Sequence, residues 1–143
     1  MVTVEERYEH LEKTIRGYNI SADLNQIRAA YEYAREHHGE QMRRDGTPFV
    51  THPINVAQIV AEMRLDSESI IAALLHDCVE DTDCTYEDIA KRFGVTVADV
   101  VDGVTKLTRV KYSTMEEEQM ENLLKMLFAM SRDIRVILIK IAD

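Results

Sequence analysis

Residues 70–83, with the sequence IIAALLHDCVEDTD, constrain the fold of this chain most strongly. The first six of them, residues 70–75, are all apolar. A helix that is apolar on every side is normally buried in a protein core. The segment then turns polar and acidic at once. We therefore expect a buried central helix that carries a polar cluster at its C-terminal end.

The polar residues continue at helical spacing. At about 100° per residue, His76 and Glu80 share one edge of a continuous helix, and Asp77 and Asp81 lie beside them within an arc of roughly 140°. The carboxylates repel one another and the negative end of the helix dipole. A bound cation would stabilise them, and a metal ion is one candidate. The alternative is that the helix simply reaches the surface, with its acids solvated and Asp81 or Asp83 capping the next helix.

The composition is typical of a soluble globular chain with one core. Of its 143 residues, 45% are hydrophobic and 30% charged, which suits one domain and excludes a disordered chain. The formal net charge of −9 argues against a nucleic-acid-binding surface, although local basic residues or a metal could still hold a small anion. Five glycines, two prolines and little strand-like alternation predict an all-α fold.

Cysteine content and hydropathy bear on the cellular compartment. The two cysteines, Cys78 and Cys84, do not make a disulfide framework. No apolar run reaches the roughly 18 residues of a membrane span, and the acidic N-terminus does not resemble a signal peptide. We therefore expect a protein of the reducing cytoplasm that does not bind a membrane.

Apolar residues recur at helical spacing along the rest of the chain and predict a helical bundle. With the central helix, about seven to eight helices are expected. They are residues 3–17, a segment from Ser21 to about His38, a segment opened by His52 and Pro53, the central segment, a short segment capped by Thr85, and residues 96–108, 115–130 and 133–143. The apolar side of the third helix is predicted to consist of Ile54, Ala57, Ile59, Val60 and Met63.

Several helix ends carry residues that favour them. Ser21 is the predicted N-cap of the second helix, and Asp66 or Ser67 is that of the central helix. Thr85, followed three residues later by Asp88, predicts a capping box.

Residues 133–143, DIRVILIKIAD, are apolar almost all round, so periodicity alone does not separate a buried helix from a buried strand. We predict a helix because the rest of the chain is helical, with Asp133 as its cap. Asp143 then emerges at the far end, as His76 does from the central helix. Because the chain stops at this aspartate without a polar tail, we expect a fragment of a longer protein.

The helical period is lost in residues 39–51, GEQMRRDGTPFVT, which we call the basic loop. Asp45-Gly46 is a turn dipeptide within it. Arg43 and Arg44 lie in this constrained loop, where guanidinium groups could donate to phosphate and stack on a base. The other interpretation is an ordinary polar loop.

His52 opens the helix after the basic loop. A lone histidine at a helix start is usually structural, so His52 gains a functional role only if it meets His76 in space. The polar residues nevertheless follow a recognisable order: His52-Pro53, then His76-Asp77, then Asp143. This H…HD…D order resembles that of the HD phosphohydrolase superfamily.

Four longer blocks narrow the resemblance. They are similar, in the same order, to the N-terminal hydrolase domain of RelA/SpoT-type bifunctional alarmone enzymes, from about Tyr31 to the last residue. The blocks are HHGEQMRRDGTPFVTHPINVAQIV, AALLHDCVEDTDCTYEDIAKRFG, VADVVDGVTKLT and DIRVILIKIAD. The resemblance implies one HD-type domain over residues 1–143, an all-α helical bundle, without the synthetase domain that follows in the full-length enzymes.

The resemblance also implies a manganese site. In that family four residues hold the ion, and the match assigns this role to His52, His76, Asp77 and Asp143. The donor set is chemically reasonable, because two imidazoles with two carboxylates suit a divalent transition metal better than magnesium or calcium. Another divalent transition metal is compatible with the same ligands.

The family's adjacent acidic pair corresponds to Glu80 and Asp81, and the resemblance implies that they orient and help deprotonate a water. That water would attack the 3′-pyrophosphate of guanosine tetra- or pentaphosphate and release GDP or GTP and pyrophosphate. The basic loop resembles the family's guanine-nucleotide loop, so Arg43 is expected beside the base and Arg44 on a phosphate. Asp45 stands where the family usually has serine and adds a negative charge near the expected nucleotide.

Two other functions remain compatible with the sequence. One is hydrolysis of a different nucleotide at the same HD-type metal site. The other is a non-catalytic regulatory domain that reports nucleotide state to a synthetase domain in a longer chain. The intact His-Asp and Glu-Asp pairs favour an active hydrolase, because degenerate members of the family lose both.

Overall fold

The computed structural model describes residues 3–108 and 134–143, and these residues contain eight helices. They are α1 (Val4–Tyr18), α2 (Leu24–His38), α3 (Thr51–Glu62), α4 (Ser67–Leu75), α5 (Cys78–Asp81), α6 (Tyr86–Phe93), α7 (Val95–Thr108) and α8 (Arg135–Ala142). These residues contain no strand, only an isolated bridge between Met42 and Pro48. None of these helices is both long and apolar enough to cross a membrane. The predicted all-α bundle of about seven to eight helices is confirmed.

The apolar central segment forms the buried helix α4, as the sequence predicts. Residues 69–75 are all buried, and α4 packs against α2, α3, α7 and α8. Asp66 caps its N-terminus by accepting a hydrogen bond of 3.0 Å from the amide of Ser69. Helix α4 is therefore surrounded by other helices, and the chain leaves it at Leu75 directly into His76 and Asp77.

The first helices bury the faces expected from their spacing, with a change at one end. Tyr8, Leu11 and Ile15 of α1 are fully buried. The N-cap of α2 is Asp23, whose carboxylate accepts from the amide of Gln26 at 3.1 Å. The predicted cap at Ser21 is therefore wrong, because a turn in which the amide of Ala22 bonds to the carbonyl of Asn19 delays the helix to Leu24.

Helix α3 is apolar over a wider arc than the core covers. Ala57 and Val60 are buried as predicted, whereas Ile59 and Met63 are 42% and 38% exposed. Ile59 lies two residues, about 200°, from Ala57 at the centre of the buried face. The prediction that Ile59 and Met63 are buried is wrong for this reason.

The capping box before α6 is confirmed. The hydroxyl of Thr85 accepts from the amide of Asp88 at 3.2 Å, and the carboxylate of Asp88 accepts from the amide of Thr85 at 3.1 Å. Neither Asp81 nor Asp83 caps this helix, so the acids after α4 are not explained as the N-cap of α6.

Residues 135–142 are helical, which settles the choice between helix and strand for the last segment. Ile134 occupies the N-cap position without a side-chain hydrogen bond. The predicted cap Asp133 and the predicted helix at residues 115–130 lie outside the described residues. Helices α7 and α8 approach closely at Gly103, where an added Cβ would lie 2.7 Å from Cγ2 of Val136.

Candidate metal centre

His76 lies in a turn that interrupts the helix predicted from the sequence. Helix α4 ends at Leu75, and α5 begins only at Cys78. The two residues between them, His76 and Asp77, form the turn, and Asp77 has φ −91° and ψ −9°, which departs from ideal α-helical angles. The prediction that His76 and Glu80 lie on one continuous helix is therefore wrong. The turn sends these two side chains into different, adjoining groups.

The His76 ring is 2% exposed and is held by the last turn of α4. Its Nδ1 lies 2.5 Å from the carbonyl oxygen of Ala73, which can only accept, so Nδ1 carries the proton. The other nitrogen, Nε2, is buried and makes no hydrogen bond. A buried nitrogen in this state is costly unless a ligand such as a metal ion completes its interactions.

Asp143 lies beside both histidines although it is 91 residues from His52 in the sequence. Its Oδ1 is 2.7 Å from Nε2 of His52 and 3.6 Å from Nε2 of His76. The two imidazole rings are 5.4 Å apart between centroids. The hydrogen bond from His52, together with the nearby His76 ring, holds the pKa of Asp143 well below its usual range. This carboxylate therefore stays ionised between the two rings.

Asp77 also lies close to both histidines. Its Oδ1 is 3.3 Å from Nε2 of His76, and its Oδ2 is 3.6 Å from Nε2 of His52. Burial disfavours a charged His76 ring, but Asp143, Asp77 and the Ala73 carbonyl together raise the pKa of His76. Two carboxylates and two imidazoles thus converge on one small volume.

These side chains fit a single metal ion. Donor atoms of His52, His76 and Asp143 lie within 4.8 Å of one another. Atoms bound about 2 Å from one ion lie roughly 3–4 Å apart, so small side-chain movements would close the set. The mixture of imidazole and carboxylate donors suits a first-row divalent metal. The three residues form a candidate metal-binding cluster, and Asp77 is within reach of it.

A second acidic group adjoins this cluster. Donor atoms of Asp77, Glu80 and Asp81 also lie within 4.8 Å of one another. Asp77 links this group to the first, because its carboxylate oxygens lie 3.3 Å from Nε2 of His76 and 3.6 Å from Nε2 of His52. Burial, followed by the charge of Asp77, raises the pKa of Asp81. A carboxylate with a raised pKa beside a metal-type site has the property expected of a proton acceptor.

The arginines of the basic loop face the candidate metal centre across an open cleft. The cleft has a volume of about 560 Å³ and is lined by Arg43, Arg44, His52 and Asp77, among others. The guanidinium of Arg43 lies 5.8 Å from the centroid of the Phe49 ring. The structure therefore brings the predicted basic pair and two of the predicted metal ligands, His52 and Asp77, to one opening.

The negative charge of Asp45 is stabilised by hydrogen bonds within the basic loop. Its carboxylate accepts hydrogen bonds from the hydroxyl of Thr47 at 2.7 Å and from the amide of Thr47 at 3.0 Å. These bonds lower the pKa of Asp45. The aspartate thus closes the turn, as a serine hydroxyl would do more weakly.

Residues 30–143 match the HD domain family, a range that runs from within α2 to Asp143. The chain belongs to the HD domain family. The order of the candidate ligands along this HD domain, two histidines and an aspartate before the last helix and one aspartate after it, follows the resemblance seen in the sequence.

Individual relatives of this HD domain are longer proteins. The chain is 51% identical over 135 residues to guanosine-3′,5′-bis(diphosphate) 3′-pyrophosphohydrolase of Aquifex aeolicus, and 48% identical over 136 residues to bifunctional (p)ppGpp synthase/hydrolase SpoT of Escherichia coli. The alignments cover 94% and 95% of this chain but 19% of each relative. The chain therefore spans about a fifth of the length of these relatives.

A solved structure is also similar to this HD domain. It is reported as "A metazoan ortholog of SpoT hydrolyzes ppGpp and plays a role in starvation responses". The TM-score is 0.62 at 32% identity, over 82% of this chain and 65% of that chain. The shared fold thus extends to a protein whose sequence has diverged considerably.

Sequence reasoning assigned no role to His38 or Gln41, which contact each other beside the site. His38 is 1% exposed, and its Nδ1 lies 3.3 Å from Oε1 of Gln41. Their spacing of three residues spans the helix end at Gly39, so no helical period links them. A histidine at a helix C-terminus is usually exposed, and the local sequence carries no sign that this one is buried.

Proposed function

We propose that this HD domain hydrolyses the 3′-pyrophosphate of guanosine tetra- or pentaphosphate. A water oxygen bonds to the phosphorus attached to O3′, the bond between that phosphorus and O3′ breaks, and O3′ takes up a proton. The products are GDP or GTP and pyrophosphate. The observation that carries this proposal is the convergence of His52, His76, Asp77 and Asp143 beside a cleft that two arginines line. Relatives named for this reaction support it.

We assign the metal as manganese, held by the same four residues, with another divalent transition metal as a possible replacement. HD domains are metal-dependent hydrolases, and the donor set suits such an ion. When bound, the ion supplies a Lewis acid that makes a water nucleophilic near neutral pH and polarises a phosphoryl oxygen. The carbonyl of Ala73 keeps the proton on Nδ1 of His76 and so leaves Nε2 available as a ligand.

Glu80 and Asp81 act on the attacking water in this proposal. Both belong to the acidic group that shares Asp77 with the metal ligands. The pKa of Asp81 is raised toward neutral pH, so its carboxylate is a stronger base than that of an ordinary aspartate. Glu80, half-buried in the same group, orients the water and shares in accepting its proton.

The basic loop binds the nucleotide. Arg44 contacts a phosphate, for which its forked donors are suited, and Arg43 lies beside the guanine base. Because Asp45 is held by Thr47, its charge is partly compensated within the turn and opposes the phosphates less. A cleft of about 560 Å³ is in the range of small-molecule sites.

The setting of this activity is also a proposal. Residues 1–143 form one HD-type domain at the N-terminal side of a longer cytoplasmic protein that carries a synthetase domain. The length of the relatives and the printed name of the Escherichia coli relative, a synthase/hydrolase, support this arrangement. Neither nucleic acid nor a membrane is a partner of the domain, in keeping with its net charge of −9.

The direct test is manganese-dependent release of pyrophosphate from guanosine tetraphosphate. We expect stoichiometric GDP and pyrophosphate with Mn²⁺ present, and neither product after chelation. Parallel assays with dGTP and cyclic nucleotides test for a different HD-type nucleotide phosphohydrolase. Turnover of one of these, without turnover of guanosine tetraphosphate, would contradict the proposed substrate.

A non-catalytic regulatory domain is the second candidate. It is favoured by the 47% identity to a Myxococcus xanthus protein that is named for synthesis, GTP pyrophosphokinase. Metal content separates the two functions, because hydrolysis requires the ion. A folded protein that takes up no Mn²⁺ from solution and binds guanosine tetraphosphate without turnover would establish the regulatory role.

A further inference from the structure

A buried histidine outside the candidate metal centre connects two parts of the site. His38, the last residue of α2, stacks on Phe49 of the basic loop with ring centroids 4.8 Å apart. Its Nδ1 faces the side-chain oxygen of Gln41 at 3.3 Å, and its Nε2 lies 4.0 Å from Sγ of Cys78 in α5. A buried imidazole with polar neighbours at both nitrogens has a defined ring orientation.

Gln41 joins three segments of the chain. Its main-chain amide donates to the main-chain carbonyl of His38 at 3.0 Å, and its main-chain carbonyl accepts from the main-chain amide of Phe49 at 2.8 Å. Its side-chain Nε2 donates to the main-chain oxygen of Asp81 at 3.0 Å. That oxygen lies at the end of α5, where a helix leaves carbonyls without partners. Gln41 therefore connects α2, the basic loop and α5.

The acceptors determine the direction of every hydrogen bond in this set. The main-chain carbonyl of Asp81 can only accept, so the nitrogen of the Gln41 amide faces it and the oxygen faces His38. His38 must then carry its proton on Nδ1, which leaves Nε2 as an acceptor toward the Cys78 thiol. Burial lowers the pKa of His38, which favours the neutral ring that this tautomer requires. We call the set of His38, Gln41, Cys78 and Asp81 the polar bridge.

We propose that His38 and Gln41 are positioning residues that set the distance between the acids of α5 and the arginines of the basic loop. The inference rests on the proposed function, in which the α5 acids act on the water and the arginines hold the nucleotide. One residue, Gln41, bonds to both segments through its main chain and its side chain. A shift of either segment would misalign the water and the phosphorus, and a misplacement of about 1 Å can cost on the order of 10² in rate.

Gln41→Met tests the polar bridge with little risk to folding, because Gln41 is exposed. Methionine keeps the length of the side chain and removes the two side-chain hydrogen bonds, to His38 and to the main chain of Asp81. We expect kcat for pyrophosphate release to fall roughly tenfold to hundredfold. The affinity for Mn²⁺ should not change, because no metal ligand is altered. Gln26→Met, at the other end of α2, is the matched control and should retain the parent kcat and KM.

The His38 tautomer provides a readout that does not depend on hydrolysis. In ¹⁵N NMR spectra of the parent, His38 should be protonated on Nδ1, and this preference should be lost in Gln41→Met. An Nε2-protonated His38 in the parent, or parent-like kcat and KM in Gln41→Met, would overturn the inference. A parent that binds Mn²⁺ but releases no pyrophosphate would count against the proposed function, and the tautomer alone would then decide on the polar bridge.

Discussion

The two histidines of the candidate metal centre are held differently. His76 is 2% exposed, and a main-chain carbonyl determines which of its nitrogens carries the proton. His52 lines the open cleft, and its Nε2 lies 2.7 Å from Asp143. The buried ring is thus preorganised, whereas the ring at the cleft depends on a carboxylate that arrives from a distant part of the chain. Asp143 is consequently the residue whose removal should be felt by both.

Asp143→Asn should weaken Mn²⁺ binding with little change in side-chain volume. Asparagine loses the charge that faces both imidazoles, so we expect affinity to fall by at least about a hundredfold, more than the roughly 10–100-fold cost of losing an outer partner. Isothermal titration calorimetry measures this. Asp83→Asn, an exposed position beyond α5, controls for net charge. Equal affinity in the two variants would exclude Asp143 as a ligand.

Glu80→Gln should separate metal binding from catalysis. The amide retains the size of the side chain but cannot accept the proton of a water, so kcat should fall by about 10²–10⁴ with the Mn²⁺ affinity within a few-fold of the parent. Steady-state pyrophosphate release and calorimetry give the two values. Glu87→Gln in α6 is the exposed control. Parent-like turnover in Glu80→Gln would remove Glu80 from the mechanism.

At the scale of elements, α8 is what delivers Asp143 to the site. The amide of Asp143 bonds to the carbonyl of Ile139 at 2.8 Å, so the aspartate is a continuation of the helix. Helix α8 packs against α3, α4 and α7. Its approach to α7 is allowed by Gly103, because any larger residue would collide with the β-branched side chain of Val136. The position of one candidate ligand, Asp143, therefore depends on a glycine far from it in sequence.

Gly103→Ala should destabilise the protein although alanine favours helices. Overpacking costs about 1–3 kcal/mol, which exceeds the roughly 0.5–1 kcal/mol gained from helix propensity. We expect lower unfolding free energy in urea and weaker Mn²⁺ binding. In a Val136→Ala background the clash is absent, so the same substitution should be neutral or stabilising. A destabilisation of equal size in both backgrounds would contradict the close approach.

For the molecule as a whole, the site is a product of packing. His52 comes from the start of α3, His76 and Asp77 from the turn after α4, and Asp143 from the end of α8. These elements are separated along the chain and meet because they surround the same buried helix. In an unfolded chain the ligands are dispersed, so the metal should bind the folded state far more tightly.

Mn²⁺ should therefore raise the unfolding temperature. At a free concentration of 100 times Kd, mass action predicts about 2.7 kcal/mol of added stability. Differential scanning calorimetry across a Mn²⁺ titration measures the shift in Tm. The shift should shrink strongly in Asp143→Asn and persist in Asp83→Asn. A parent Tm that is independent of Mn²⁺ would mean that the cluster does not bind the ion in the folded state.

The sequence predicted features that depend on neighbours within one or two helical turns. The cap at Asp66 and the capping box of Thr85 and Asp88 are confirmed because a cap is a contact between residues three apart. The burial of α4 followed from its apolar composition. Ile59 was predicted wrongly, because periodicity identifies an apolar arc but not how much of that arc a neighbouring helix covers.

The sequence by itself determined most of the described helices, the caps at Asp66 and Thr85 and, through its resemblance to a family, the residues expected at the site. The tertiary structure alone decided that a turn at His76 and Asp77 interrupts the helix and that His52 and Asp143, 91 residues apart, come within 2.7 Å. Their role as metal ligands remains a prediction. The physical reason for the division is that a helical period determines which side of a helix is apolar, whereas the distance between two helices depends on how their side chains interlock, as at Gly103 and Val136.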